Sequence, residues 1–208
     1  MEIRNIHIIF DVSFKLKNLK LWKITSKLVV EFKLNYADLD DYYYDNDNYD
    51  SCVSMFCFHR KYNIGDKHKY SQSDFRSWDK FETQLKKDYD IRIIKPLYMY
   101  DHSGITISTS PFSCPWDSGQ IGFAFFTAEA IRERFGTKRI TERILKRAER
   151  VLEDSVRLYD NFLVGNMFEL SMCDSDGNHI VTQLVEYNDI DSVIHTMYSE
   201  YAIEELVN

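Results

Sequence analysis

Apolar and polar positions along the chain fall into strand-like and helix-like stretches. Residues 2–14, 27–34 and 51–58 carry alternating or continuous β-branched and aromatic residues, which predicts three strands, most simply joined as a meander. Phe75, Trp78, Phe81 and Leu85 recur at helical spacing, so an amphipathic helix follows, with Ser73 or Asp74 as its cap. Residues 91–100 are strand-like again, and Pro96 within them predicts an edge position or a bulge. Residues 105–109 alternate apolar with hydroxylated side chains, the period of a half-buried strand, and a further strand is expected at 121–127.

Beyond residue 127 the period becomes helical. Thr127 can cap a short helix ended by Gly136, and Thr141 a longer one ended by Gly165, whose apolar face runs through Ile144, Ala148, Val151, Leu152, Val156, Tyr159 and Leu163. Arg, Lys and Glu occupy its other face, as on an ordinary surface helix. Residues 167–173 and 179–187 flank Asp-Ser-Asp-Gly, a hairpin signal, and an amphipathic helix is expected at 190–206. The sum is an α+β fold, a mostly antiparallel sheet with a few helices packed on it. It is expected as one domain, 1–208, with a β-rich lobe to residue 126 and a helix-hairpin-helix lobe after it.

With 208 residues, 44% of them apolar, the chain can bury a substantial core. No apolar run approaches the roughly 20 residues of a membrane span, and the N-terminus lacks a signal peptide's pattern, so an intracellular protein is expected. The net charge of −7 argues against nonspecific nucleic-acid binding. Much of it lies in YADLDDYYYDNDNYD, where Asp40, Asp41, Tyr43, Tyr44, Asp45 and Asp47 stand without a Lys or Arg. As a solvated loop this stretch needs no partner; as a docking surface it suits a basic protein, with Tyr supplying area and Asp meeting cations.

Residues 96–122 hold all three prolines and three of the seven glycines, punctuation that marks fixed backbone. Asp101, His102, Cys114 and Asp117 lie within them, and His59, Asp66 and His68 lie in an earlier turn around Gly65. Nitrogen, sulfur and oxygen donors together suit zinc. The favoured donors are His59, His68 and His102, with Asp101 or Cys114 completing the shell and Asp66 or Asp117 orienting an imidazole. Such a site is structural if closed, or hydrolytic if water keeps one position.

HRKYNIGDKH (59–68) and YDHSGITISTSPFSCPWDSGQIG (100–122) resemble a family of small proteins from phages, prophages and plasmids. The shared patterns are HRxYxLGDxH and YDHSGxTxxxxPFxCxWDSGQxG, with Ile64 here in place of Leu. The likeness is specific at these two places and loose over the first 50 and last 80 residues. It implies phage counter-defence by a zinc-containing anti-CRISPR of type II-A, acting in the cytoplasm of the bacterial host by stoichiometric binding to Cas9. A nuclease with positive channels would attract an acidic protein. The alternative is a metal-dependent hydrolase of a nucleotide or nucleic acid that uses the same two loops.

Overall fold

In the computed structural model the described residues are 4–8, 30–36, 52–174 and 176–207. They form an α+β protein in which every strand pairing described is antiparallel. Two compact units divide the elements.

The first unit holds β1 (Arg4–Ile8), β2 (Val30–Tyr36), β7 (Met167–Cys173) and β8 (His179–Glu186), hydrogen-bonded in the order β1-β2-β7-β8. Every second residue of β7 turns to one face. Phe168, Leu170 and Met172 there bury against Val185 and against Ile190, Ile194 and Met197 of α4 (Ile190–Val207). The turn between β7 and β8 is closed by Asp174, whose Oδ1 accepts from the backbone N–H groups of Asp176 and Asn178. Gly177, at φ 83°, takes the left-handed position that the turn requires.

The second unit contains β3 (Ser54–Cys57), α1 (Trp78–Asp88), β4 (Ile91–Asp101), β5 (Ile105–Ser108), β6 (Ser118–Thr127), α2 (Ala128–Phe135) and α3 (Glu142–Leu163). Its sheet has the order β3-β6-β4-β5. Residues 121–126 of β6 are buried on both faces, which explains their nearly unbroken apolar character. Ala124 and Phe126 join Leu97, Met99 and the buried face of α3, while Phe123 and Phe125 join Phe81 and Leu85 of α1. Phe81 and Leu85 are wholly buried, each contributing about 2 kcal/mol by transfer from water.

Local signals placed α2 and α3 as expected. Thr127 and Thr141 accept from the N–H groups of Ala130 and Ile144, and Gly136 closes α2 in the left-handed conformation. The cap expected at Ser73 or Asp74 is corrected. Residues 72–74 form a separate 3-10 turn closed by extended Phe75, and Ser77 caps α1 by accepting from the N–H of Lys80. Pro96 lies where β4 has only β6 as its partner, because β5 pairs with β4 from Tyr98 onward, and a register shift follows it at Leu97/Tyr98.

The meander is corrected as well. β1 and β2 pair, but β3 leaves them for β6 in the other sheet, because the apolar run of β6 offers β3 a partner buried on both faces. Nor do the units follow a division at residue 126: α2 and α3 belong with the strands that precede them, since the apolar face of α3 completes the core under β6.

Gly122 pairs with Cys57 across β3 and β6, and a Cβ there would sit 2.0 Å from the Phe56 carbonyl oxygen. Gly122→Ala should force the strands apart and cost at least about 2 kcal/mol in urea unfolding. Gly119→Ala, with open space at its Cβ, should show no such loss.

Candidate functional site

Strand order leaves β3 at a sheet edge, and the HRKYNIGDKH segment covers it. The Asp66 N–H donates to the Met55 carbonyl at 2.7 Å, and Asp66 Oδ2 accepts from the Met55 N–H at 2.6 Å. His68 Nε2 donates to the Cys57 carbonyl at 2.9 Å, its ring lying among Phe56, Phe58 and Tyr70, and its Nδ1 is buried without a hydrogen-bond partner among the described residues. Gly65 is at φ 76°, and its Cβ would meet the Met55 carbonyl oxygen at 2.3 Å. Its N–H donates to the hydroxyl of buried Tyr159 on α3 at 2.9 Å.

Asp66 and His68, expected as metal donors, therefore satisfy the backbone of an edge strand. Burial holds the Asp66 carboxyl above its ordinary value, against the opposing pull of the Met55 N–H and of His68. The half-buried Cys57 thiol is pushed up to about 12, by desolvation first and by the charge of Asp66 second. A thiol shifted in this way is neutral at pH 7.

The other expected donors gather around residues 100–118. The Asp101 N–H donates to the Asp117 carbonyl at 2.8 Å, bringing the two ends of the loop together. Across from it, Lys61 Nζ and the Tyr62 hydroxyl both donate to the Asp101 carboxylate at 3.2 Å, so the two sequence motifs meet. The bond to Asp101 raises the Lys61 pKa, although its ammonium is exposed. His59 stacks on Tyr62 with ring centroids 5.0 Å apart, and its Nδ1 accepts from the N–H groups of Lys61 and Tyr62. Both contacts engage the Nδ1 lone pair, at 3.3 Å each.

Asp117 is the centre of a third contact set. Its Oδ2 lies 3.2 Å from His102 Nδ1 and accepts from Cys114 Sγ at 3.7 Å. The Ser118 hydroxyl donates to the Cys114 carbonyl, which pins the loop beneath them.

His59, Lys61, Asp101, Asp117 and Gln120 line an open cleft of about 500 Å³, and Trp116 stands at the same cleft with 91% of its surface exposed. Of the six metal donors expected, His59 and Asp101 line this cleft, His102 and Cys114 meet at Asp117, and Asp66 and His68 bond the β3 backbone. Among the described residues no three His, Cys, Asp or Glu side chains stand in a ligand arrangement. Asp40, Asp41, Tyr43, Tyr44, Asp45 and Asp47, the expected partner-binding residues, lie outside the described residues. Lys61, Tyr62 and Trp116 are not among the expected site residues, although Tyr62 and Trp116 are fixed positions of the two shared patterns.

Comparison with protein-family models, with curated proteins and with solved structures returns no match. The fold and the site together define an α+β protein with a polar cleft and an exposed indole on a pinned loop. Among the described residues no helix is long and apolar enough to cross a membrane.

Because folded Asp66 keeps its proton to higher pH than the unfolded chain does, the unfolded chain releases it first as pH rises. Stability therefore falls between the ordinary value of 3.8 and the raised one. Asp66→Asn, which retains an acceptor for Met55, should abolish that decline in urea unfolding measured across acidic pH. Asp66→Ala, which leaves the Met55 N–H without an acceptor, should cost about 1–3 kcal/mol at neutral pH.

Proposed function

We propose that this chain is a phage counter-defence protein that inhibits a type II-A Cas9 by occupying it, one surface against another, rather than by turnover. The observation that carries this reading is Trp116. It is 91% exposed on a loop fixed by Pro115, by the Asp101–Asp117 backbone bond and by the Ser118 hydroxyl. An indole held in water on fixed backbone suits the centre of a protein interface, where Trp gives much contact area for little lost freedom. Lys61 and Asp117 beside it offer both signs of charge for orienting a partner. The choice of Cas9 comes from the likeness of the two motifs, and the net charge of −7 suits fast encounter with a cationic nuclease.

Covalent hydrolysis is less well supported by this geometry. The Cys114 thiol meets a carboxylate, and the nitrogen of His102 in contact faces that same carboxylate, so nucleophile and base do not engage each other. Zinc belongs to the proposal at one place. His102, Cys114 and Asp117 share contacts and provide N, S and O donors, a chemistry zinc accepts, although in this structure they are not spaced as its ligands.

Occupancy predicts that Cas9 cleavage stops only as the protein approaches equimolar ratio, and that inhibition fades below it; full inhibition at a small fraction of that ratio would refute the reading. Trp116→Ala should weaken binding about thirtyfold without altering unfolding, since the side chain touches little of its own protein. Protein purified without a metal-affinity tag should carry about one zinc by elemental analysis, lost in His102→Ala and Cys114→Ala. Metal-free wild-type protein of undiminished stability would remove zinc from the proposal.

A further inference from the structure

The negative net charge conceals a segregated positive face. Residues 132–150 hold eight Arg or Lys against three Glu, a net +5 in a chain whose total is −7. On α3, Arg143, Lys146, Arg147 and Arg150 line one exposed depression, and Arg134 of α2 joins Arg147 and Arg150 at the next. None of these five cations makes an ion pair among the described residues. Glu149 and Glu153, which could neutralise them, are drawn to Lys95 on β4 at 2.6 and 3.2 Å. Only Glu142 lines the depression with them.

This arrangement costs α3 stability. Arg143 with Arg147 and Lys146 with Arg150 are like-charged pairs four residues apart, which destabilise a helix. Arg143 and Lys146 also lie in its first turns, at the positive end of the helix dipole. Packing returns little for it: Arg147 lies over the Phe135 ring, but all five side chains are exposed and the core face of α3 is made by Ala148, Leu152, Val156 and Tyr159.

We infer that the α2–α3 face binds the phosphate backbone of a nucleic acid. Four of the five cations are Arg, whose planar fork bonds phosphate at two points. From Arg143 to Arg150 the stripe runs about 10 Å along α3 at 1.5 Å per residue, enough to meet about three phosphates of a strand that rises 3.4 Å per nucleotide. The Arg147 guanidinium lies over the half-buried Phe135 ring at 5.0 Å, which holds its planar face at the surface where a base can stack on it. The surface reads no base edge, so recognition is electrostatic and indifferent to sequence. It involves no residue of the cleft around Trp116.

Fluorescence anisotropy of the full chain with a labelled single-stranded oligonucleotide, and with the duplex of the same length, tests this. Affinity should fall steeply between about 50 and about 200 mM salt, with a log–log slope of about −2 to −3. Combined Arg143→Glu, Arg147→Glu and Arg150→Glu should weaken binding at least about tenfold and flatten the slope; the same three changed to Gln serve if the reversal unfolds the protein. Trp116→Ala should leave binding intact, which separates this surface from the Cas9 proposal. Absence of binding at about 50 mM salt, or binding unaffected by the Gln variant, overturns the inference. Tighter binding to poly-glutamate or to anionic phospholipid vesicles also overturns it, by assigning the face to another class of partner.

Discussion

An exposed strand edge is the constraint to which the second unit answers. β3 has four residues and, among the described residues, one strand partner, and its outer edge would otherwise leave backbone groups open to any passing strand. The chain solves this within the next dozen residues by folding Gly65, Asp66 and His68 back over Met55 and Cys57. Gly65 is required because any side chain would collide with the Met55 carbonyl, and Asp66 because one residue must both donate to and accept from Met55. Tyr159 then ties the turn to α3 from below. Edge, turn and helix are fastened by groups that each have a backbone or hydroxyl partner in the interior.

That fastening determines where the polar loop cluster sits. With the turn fixed on β3, Lys61 and Tyr62 reach Asp101 at the end of β4, and Asp101 in turn holds Asp117 through the backbone. The Lys61–Asp101 ion pair contributes little by itself, since the ammonium is well exposed and water screens it. Its role is one of placement. The main-chain bonds and Pro115 keep the loop rigid, and Trp116 is left in solvent on a support that does not have to be ordered when something binds it.

Charge is organised by the same packing. Sequence order mixes Arg, Lys and Glu along α3, and a surface helix with alternating signs is what that composition suggests. Docking α3 under the sheet places Glu149 and Glu153 beside Lys95 and leaves the Arg stripe with Glu142 as the one carboxylate lining its depression. The separation of sign comes from a helix being pressed against a strand that carries one well-placed lysine.

Local rules were legible from residues alone. Thr127, Thr141 and Gly136 marked helix ends, the turn between β7 and β8 was readable, and Pro96 announced the stretch of β4 beyond the reach of β5 and the register shift after it, because each rests on neighbours a few residues apart. Asp66 and His68 stand out in the sequence as polar groups crowded into a short turn, and in the structure both bond the backbone of β3. Which strand pairs with which, and which donor meets which acceptor, depends on contacts across tens of residues that no local pattern encodes. The sequence by itself determined the elements, their caps and the stiffness of the loops. Tertiary structure alone decided that β3 joins β6, that its edge consumes two of the expected donors, and that Glu149 and Glu153 of α3 turn to Lys95, because burial and hydrogen-bond satisfaction are settled only when distant segments compete for the same partners.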